Sequence, residues 1–258
     1  MCPPEHFTVS YAINPWMDVN CTVDAPLARM QWETLRQVYT GLGHVVNVIT
    51  PEPGLPDMVF AANGGLVIGG RALGASFAYA ERRDEAPAYL RWFAEAGLAQ
   101  VMEPSQVNEG EGDFIALGDL ILAGTGFRTQ QGAHAEVQEF FGVPVISLQL
   151  VDPRYYHLDT ALTALDDRNV AYFPAAFSPG SQQVLRSLFP DAVLACEQDA
   201  AVLGLNAISD GLNVVLPGNA TRLAAQLAER GYNPVSVDLS ELLKGGGGPK
   251  CCTLEIRA

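Results

Sequence analysis

Five polar residues recur along the chain at nearly equal intervals. They are Asn63, Asp113, Asp159, Asn206 and Cys251, separated by 50, 46, 47 and 45 residues. Around each runs a similar string: a small or polar residue, an apolar doublet, a Gly or Asp turn, and a second apolar run. The strings are FAANGGLVIGGRALGA, EGDFIALGDLILAGTG, HLDTALTALDDRNVAYF, LNAISDGLNVVLPG and CCTLEIRA. A period of this length marks a fold assembled from supersecondary units, none of which buries its apolar face alone. The last string has only one strand, so FTVSYAINP near the amino end is expected to supply the second and close a circle.

Between the strand pairs lie amphipathic stretches beginning near Arg29, Arg82, Gln131, Ser178 and Ala220, two of which end on Gly43 and Gly97. Their apolar spacing is near 3.6, and a short β-rich run follows each: VVNVIT, AQVMEP, VPVISL, AVLAC and PVSVDL. The expected fold is α/β, a five-fold pseudosymmetric α/β propeller of repeated ββαβ units. Closing such units into a ring protects the sheet edges. No Pro-, Gly- or Ser-rich linker divides the chain, so residues 1–258 read as a single domain.

The formal net charge is −14. That field disfavours nucleic acid and anionic membranes as partners and attracts a cationic small molecule. The amino end, MCPPEHFTVSYAIN, has no basic region followed by an apolar run, and no apolar run reaches the length of a membrane span. The five cysteines are odd in number and without CxxC spacing; reduced thiols in a cytoplasm are the expectation. The four histidines match no metal-ligand spacing. No metal and no cofactor are expected, and assembly into a homo-oligomer stays open.

In a ring of this kind the polar markers converge on the central axis. Singly, Asn63 and Asp159 read as turn caps and His157 as a satisfied buried histidine; together they describe chemistry. Cys251 follows a run of four glycines that lets backbone approach a ligand closely. Its thiol needs a positive neighbour or a base, and His157, beside the Asp159 marker, is the natural candidate. Glu109, Glu111, Asp113 and Asp159 form an acidic wall suited to a planar cation. A thiol, a histidine acid/base and a carboxylate cradle suit attack on a guanidinium carbon, whose charge also lowers the pKa of the attacking thiol.

The motifs EGEGD, YYHLDTALTAL and GGGGPKCCTLEI resemble those of the guanidine-modifying enzymes, the pentein superfamily of arginine deiminases, dimethylarginine dimethylaminohydrolases, arginine dihydrolases and amidinotransferases. The likeness spans the whole chain. It implies that Cys251, not Cys252, is the nucleophile, with His157 the general acid/base and Asp159 a guanidinium contact. It implies substrate contacts also at Asn14, Asn63 and Asp113, and a grip on the substrate carboxylate by Arg82 and Arg128. The usual motif is EGGD; the extra residue here leaves Glu109 or Glu111 as its acid, with Glu111 preferred and both expected on one strand face with Asp113. Deiminases and dimethylarginine hydrolases carry an aspartate where this chain has Asn63. That asparagine and the MCPPEHFTVSYAINPWMD segment most resemble arginine dihydrolases, which convert arginine to ornithine, carbon dioxide and ammonia. An asparagine can donate to the carbonyl of a neutral ureido intermediate, where an aspartate only accepts. Dimethylarginine hydrolysis, deimination or amidino transfer is the alternative. A non-catalytic binding protein of the same fold, like the ribosome anti-association factor, is more remote because the catalytic set is present.

Overall fold

A computed structural model describes residues 1–257. The first helix, α1 (Ala25–Gly41), starts where the Asp24 carboxylate accepts from Leu27 N. Its buried face is Ala28, Gln31, Trp32, Leu35 and Tyr39, the 3–4 spacing that a helix needs to present one stripe to a core. The chain leaves it through Gly43 at φ 94°, a left-handed conformation open to glycine. Helices α2 (Glu85–Glu95), α3 (Gln131–Phe141), α4 (Pro179–Leu188), α5 (Glu197–Ala200), α6 (Thr221–Glu229) and α7 (Ser240–Leu243) follow. Two starts differ from the sequence reading. The α1 helix begins earlier because Asp24 caps it, and α2 begins at Glu85 because Arg82 is held in a 3-10 turn, Ala80–Arg82, by its ion pair with Glu85.

Four units repeat one sheet. Strands β1 (Gly65–Ile68), β2 (Arg71–Gly74) and β3 (Gln100–Met102) form the first; β4 (Phe114–Leu117), β5 (Leu120–Thr125) and β6 (Val145–Gln149) the second. The third is β7 (Leu162–Ala164), β8 (Val170–Tyr172) and β9 (Val193–Leu194), and the fourth β10 (Ile208–Ser209), β11 (Asn213–Pro217) and β12 (Asn233–Val237). In each, the first two strands form an antiparallel hairpin and the third, after its helix, joins the second in parallel. This is the ββαβ unit expected from the sequence. The β-branched and aliphatic strand residues pack with the helix stripes: Ile121, Leu122, Val214 and Leu216 are fully buried, each such side chain contributing about 1.5–3 kcal/mol.

The fifth unit departs from the expectation. Strand β13 (Ile256–Arg257) lies beside β1 in parallel, with Val67 opposite Ile256. FTVSYAINP forms no strand. Its backbone is taken up in turns (Phe7 N to Pro4 O, Met17 N to Asn14 O), Pro3 and Pro4 supply no N–H, and the Ile13 carbonyl accepts from Arg128. VVNVIT is assigned to no strand, and Val45 is 88 % exposed. Among the described residues no helix is long and apolar enough to cross a membrane.

Candidate active site

The polar markers stand on short turns just before the first strand of each unit, not on the strands themselves. Asn63 lies in the 3-10 turn Ala61–Gly64, Asp113 caps the turn Gly110–Gly112, and Asp159 lies in Leu158–Thr160. These turns touch one another in a closed circuit. Asn63 Nδ2 donates to Glu109 O (3.3 Å), Leu158 N to Asp113 Oδ1 (3.0 Å), and Asn206 Nδ2 to Asp159 O (3.2 Å). Cys251 N then donates to Asn206 Oδ1 and Ala62 N to Cys251 O, both at 3.0 Å, which returns the circuit to the first unit. Gly112 is needed for this closeness: a Cβ there would stand 2.4 Å from Asn63 Nδ2 and 3.1 Å from His157 Nδ1.

At the centre, the Cys251 thiol donates to Asp159 Oδ2 (3.3 Å) and receives Asn206 Nδ2 (3.0 Å). Burial pushes the Cys251 pKa well above the usual thiol value, and the Asp159 carboxylate adds to the effect. At rest the group is a thiol. Burial likewise raises Asp159, to about 6, with the His157 ring opposing. His157 Nε2 meets Glu109 Oε2 at 2.7 Å. Burial alone would raise Glu109, but the Arg128 guanidinium at 2.8 Å and the His157 contact outweigh it and hold the carboxyl well below its usual range. An ionised Glu109 can only accept, so Nε2 carries a proton toward it and Nδ1 is the ring nitrogen left facing the site. That Nδ1 and Asp159 Oδ1 are both buried without a hydrogen-bond partner. Buried polar atoms are normally satisfied, so such a pair marks a place for a polar ligand.

The EGEGD acids separate. Glu109 faces His157, whereas Glu111 turns away to Lys250 Nζ (2.5 Å) and the Glu255 amide (3.0 Å). Of the two candidate motif acids it is Glu109, and not the preferred Glu111, that meets His157. The reason is local: the expected strand alternation is replaced by the 3-10 turn Gly110–Gly112, with Gly110 at φ 53°. Asp113 is also committed elsewhere, each oxygen accepting a backbone N–H, from Thr129 (3.2 Å) and Leu158 (3.0 Å). It anchors the turn that carries His157.

Both arginines expected to grip a substrate carboxylate are paired within the protein. Arg82 makes a bidentate pair with Glu85 and donates to Asn63 Oδ1 (2.7 Å) and Asp57 O (3.1 Å). Arg128 donates to Glu109 and to Ile13 O, its guanidinium lying 4.5 Å from the Tyr79 ring centre and 4.8 Å from that of Tyr156. Asn14 holds the glycine run, donating to Gly245 O (3.1 Å) while its Oδ1 accepts from Trp16 N. Cys252 lies 0 % exposed in an apolar cluster with Phe7, Trp32 and Leu35. Asn206 is the site residue whose contacts sequence reasoning missed, although its place among the recurring markers was the available signal. Glu85 carried a fainter one, standing three residues after Arg82.

No family model matches the chain. Over 256 residues it is 56 % identical to an N(G),N(G)-dimethylarginine dimethylaminohydrolase of Mycobacterium tuberculosis (strain ATCC 25618 / H37Rv), covering 99 % of this chain and 84 % of that protein. It is 36 % identical over 262 residues to the bifunctional arginine dihydrolase/ornithine cyclodeaminase ArgZ of Synechocystis sp. (strain ATCC 27184 / PCC 6803 / Kazusa), covering 99 % of this chain but only 37 % of that one. The product-bound crystal structure of the N-terminal domain of ArgZ, an arginine dihydrolase from the ornithine-ammonia cycle in cyanobacteria, superposes with a TM-score of 0.95 at 35 % identity, covering 99 % and 96 % of the two chains. An asparagine-to-serine variant of that domain, covalently bound to a reaction intermediate, gives 0.94 at 35 % identity, with the same coverage.

Proposed function

Because this chain belongs to the guanidine-modifying enzymes, and is a cysteine-dependent hydrolase of guanidino compounds, we propose that Cys251 is its nucleophile and that an arginine-type guanidinium sits between Cys251, His157 and Asp159. The observation that carries this reading is the pair of buried, unpartnered atoms, His157 Nδ1 and Asp159 Oδ1, beside the thiol. Asp159 accepts guanidinium N–H groups. The bound cation then draws the Cys251 pKa down, offsetting the effect of burial, and Asn206 Nδ2 supports the sulfur anion.

The Cys251 thiol gives its proton to His157 Nδ1, and the thiolate forms an S–C bond to the guanidinium carbon as the C=N electrons move to nitrogen. The C–N bond to the leaving amine breaks as His157 Nδ1 delivers its proton, leaving a thiouronium. Water adds to the same carbon, giving one proton to Nδ1. The S–C bond then breaks with its electron pair on sulfur, and the remaining O–H proton passes to that thiolate. A ureido product leaves with the resting thiol restored, while Nδ1 returns its proton to the medium. Glu109 keeps the ring in the required tautomer throughout and stabilises its charged form.

For the substrate, the order drawn from sequence is reversed. The match to a dimethylarginine hydrolase is both stronger than that to the arginine dihydrolases and spread over most of that protein's length. N-methylated arginine, cleaved to citrulline and a methylated amine, is therefore the first reading. A second, arginine to ornithine, carbon dioxide and two ammonia, is favoured by Asn63. Arg82 donates to Asn63 Oδ1 and thereby turns the amide so that Nδ2 faces the Glu109–Gly112 turn. One of its N–H groups goes to Glu109 O, and the other is the donor this reading assigns to a ureido carbonyl awaiting a second attack.

Incubation with dimethylarginine, arginine and agmatine, with products identified by mass, separates the readings. Citrulline with dimethylamine supports the first; ornithine with two ammonia per turnover supports the second. Conversion of none of the three overturns the assignment. If the second reading holds, Asn63→Asp shifts product toward citrulline at matched folded fraction.

A further inference from the structure

Four units have a central strand flanked by two others, and the fifth has only the flanks. On one side runs the segment 45–49, on the other Thr253–Arg257; between them lies an apolar groove of about 510 Å³. Tyr39, Val46, Ile49, Val215, Leu254 and Ile256 are among the residues lining it. In every complete unit the corresponding place holds the second strand, of 4, 6, 3 or 5 residues.

Met1 enters one end of this groove in a defined register. Its amino group donates to Asn47 O (2.9 Å), and Ile49 N donates to Met1 O (3.0 Å). Two bonds from one residue to positions 47 and 49 make a parallel ladder step with Met1 opposite Val48. Parallel is also the sense in which the second strand of each complete unit meets its third. Met1 thus behaves as the last rung of a strand whose earlier rungs would face Asn47, Val46 and Val45. Val45 and Val48 are exposed and Ile256 is 47 % exposed, so the edges to be paired carry apolar side chains open to solvent. A charged ammonium stands where such a strand would place a neutral amide.

We propose that this groove is the central-strand position of the fifth sheet, and that it takes an apolar β-strand joined directly to the amino end of Met1. That strand runs parallel to residues 45–49 and antiparallel to 253–257, and completes the fifth ββαβ unit. The covalent joint follows from Met1 itself, which already sets direction and register. A strand bound this way needs alternating β-branched or aliphatic residues and no proline at the ladder positions.

The test compares the chain starting at Met1 with the chain extended by the residues encoded in frame immediately before it. Backbone amides of 45–49 and 254–257 are followed by hydrogen exchange, with a third form carrying prolines in the extension. Exchange slowed at least about tenfold by the native extension, with a higher Tm, both lost in the proline form, is the expected result. A stop codon directly upstream, unchanged exchange, or equal protection by the proline form overturns the proposal. So does protection that appears in the Met1 form only as protein concentration rises, since a second copy would then fill the groove.

Discussion

Glu109 and Glu111 stand two residues apart in one motif, both are buried, and they do opposite things. Glu109 faces the Arg128 guanidinium and the His157 N–H, which outweigh its burial and keep it ionised. Glu111 shares the single Lys250 ammonium with Glu255; burial raises its pKa to about 7 despite that ammonium, while Glu255 is held down. The first acid tunes a histidine. The second fastens the segment carrying Cys251, because Lys250 immediately precedes it and the Glu255 amide follows. What a buried carboxylate contributes is set by how many donors face it, not by its place in a motif.

The largest effect expected lies where the two regions meet. Cys251→Ser should lower turnover by roughly 10⁴-fold or more, because an alcohol does not ionise in this environment. Circular dichroism should be unchanged, and Cys252→Ser should stay within a few fold. An active Cys251→Ser enzyme would leave both acids without a reaction to serve.

Glu109→Gln keeps the hydrogen-bond acceptor and removes the charge. We expect kcat to fall by about 10²-fold, the lower end for a disturbed acid/base, together with a lower Tm from the uncompensated Arg128 charge. Measuring kcat at matched folded fraction isolates the catalytic part. A Glu111→Gln loss of equal size under the same conditions would break the comparison.

The pH profile sharpens it. Asp159 must be ionised to hold a cation, and its pKa is raised to about 6 by burial. Because the raised pKa belongs to a carboxylate, the binding form exists above it and is lost as pH falls through it. In the free enzyme, kcat/KM should decline below about pH 6 by tenfold per unit. Asp159→Asn should abolish that limb along with most activity, whereas a limb that persists belongs to another group.

The smallest effect is assigned to Glu111→Gln. Losing a charged partner of buried Lys250, with Glu255 still in place, should cost about 1–3 kcal/mol and leave kcat within about threefold. In a chain of this size that is a Tm shift of about 2–4 °C per kcal/mol. An unchanged Tm would remove Glu111 from the fastening of the Cys251 segment.

Much of this was legible in the residues. The marker spacing of 45 to 50 residues disclosed the unit, because each repeat buries its face only against a neighbour. The helix stripes and the glycines at 43 and 97 disclosed the elements, since periodicity and positive φ are local properties. The motifs around Cys251, His157 and Glu109 disclosed the guanidine-modifying family. Three matters belonged to the tertiary structure alone. Which EGEGD acid meets His157 depends on a 3-10 turn that reverses strand alternation, and that turn is shaped by its packing on Asn63 and the first unit. Whether Arg82 and Arg128 reach a ligand depends on who else claims their donors: Glu85, Asn63 and Ile13 lie close in space, but only Glu85 lies within a helical turn in sequence. FTVSYAINP has the alternation of a strand, yet it lies as a turn-rich segment whose Ile13 carbonyl is held by Arg128, 115 residues away. Local pattern sets what a segment can form; the competition for buried hydrogen-bond partners, which no local pattern contains, sets what it does form.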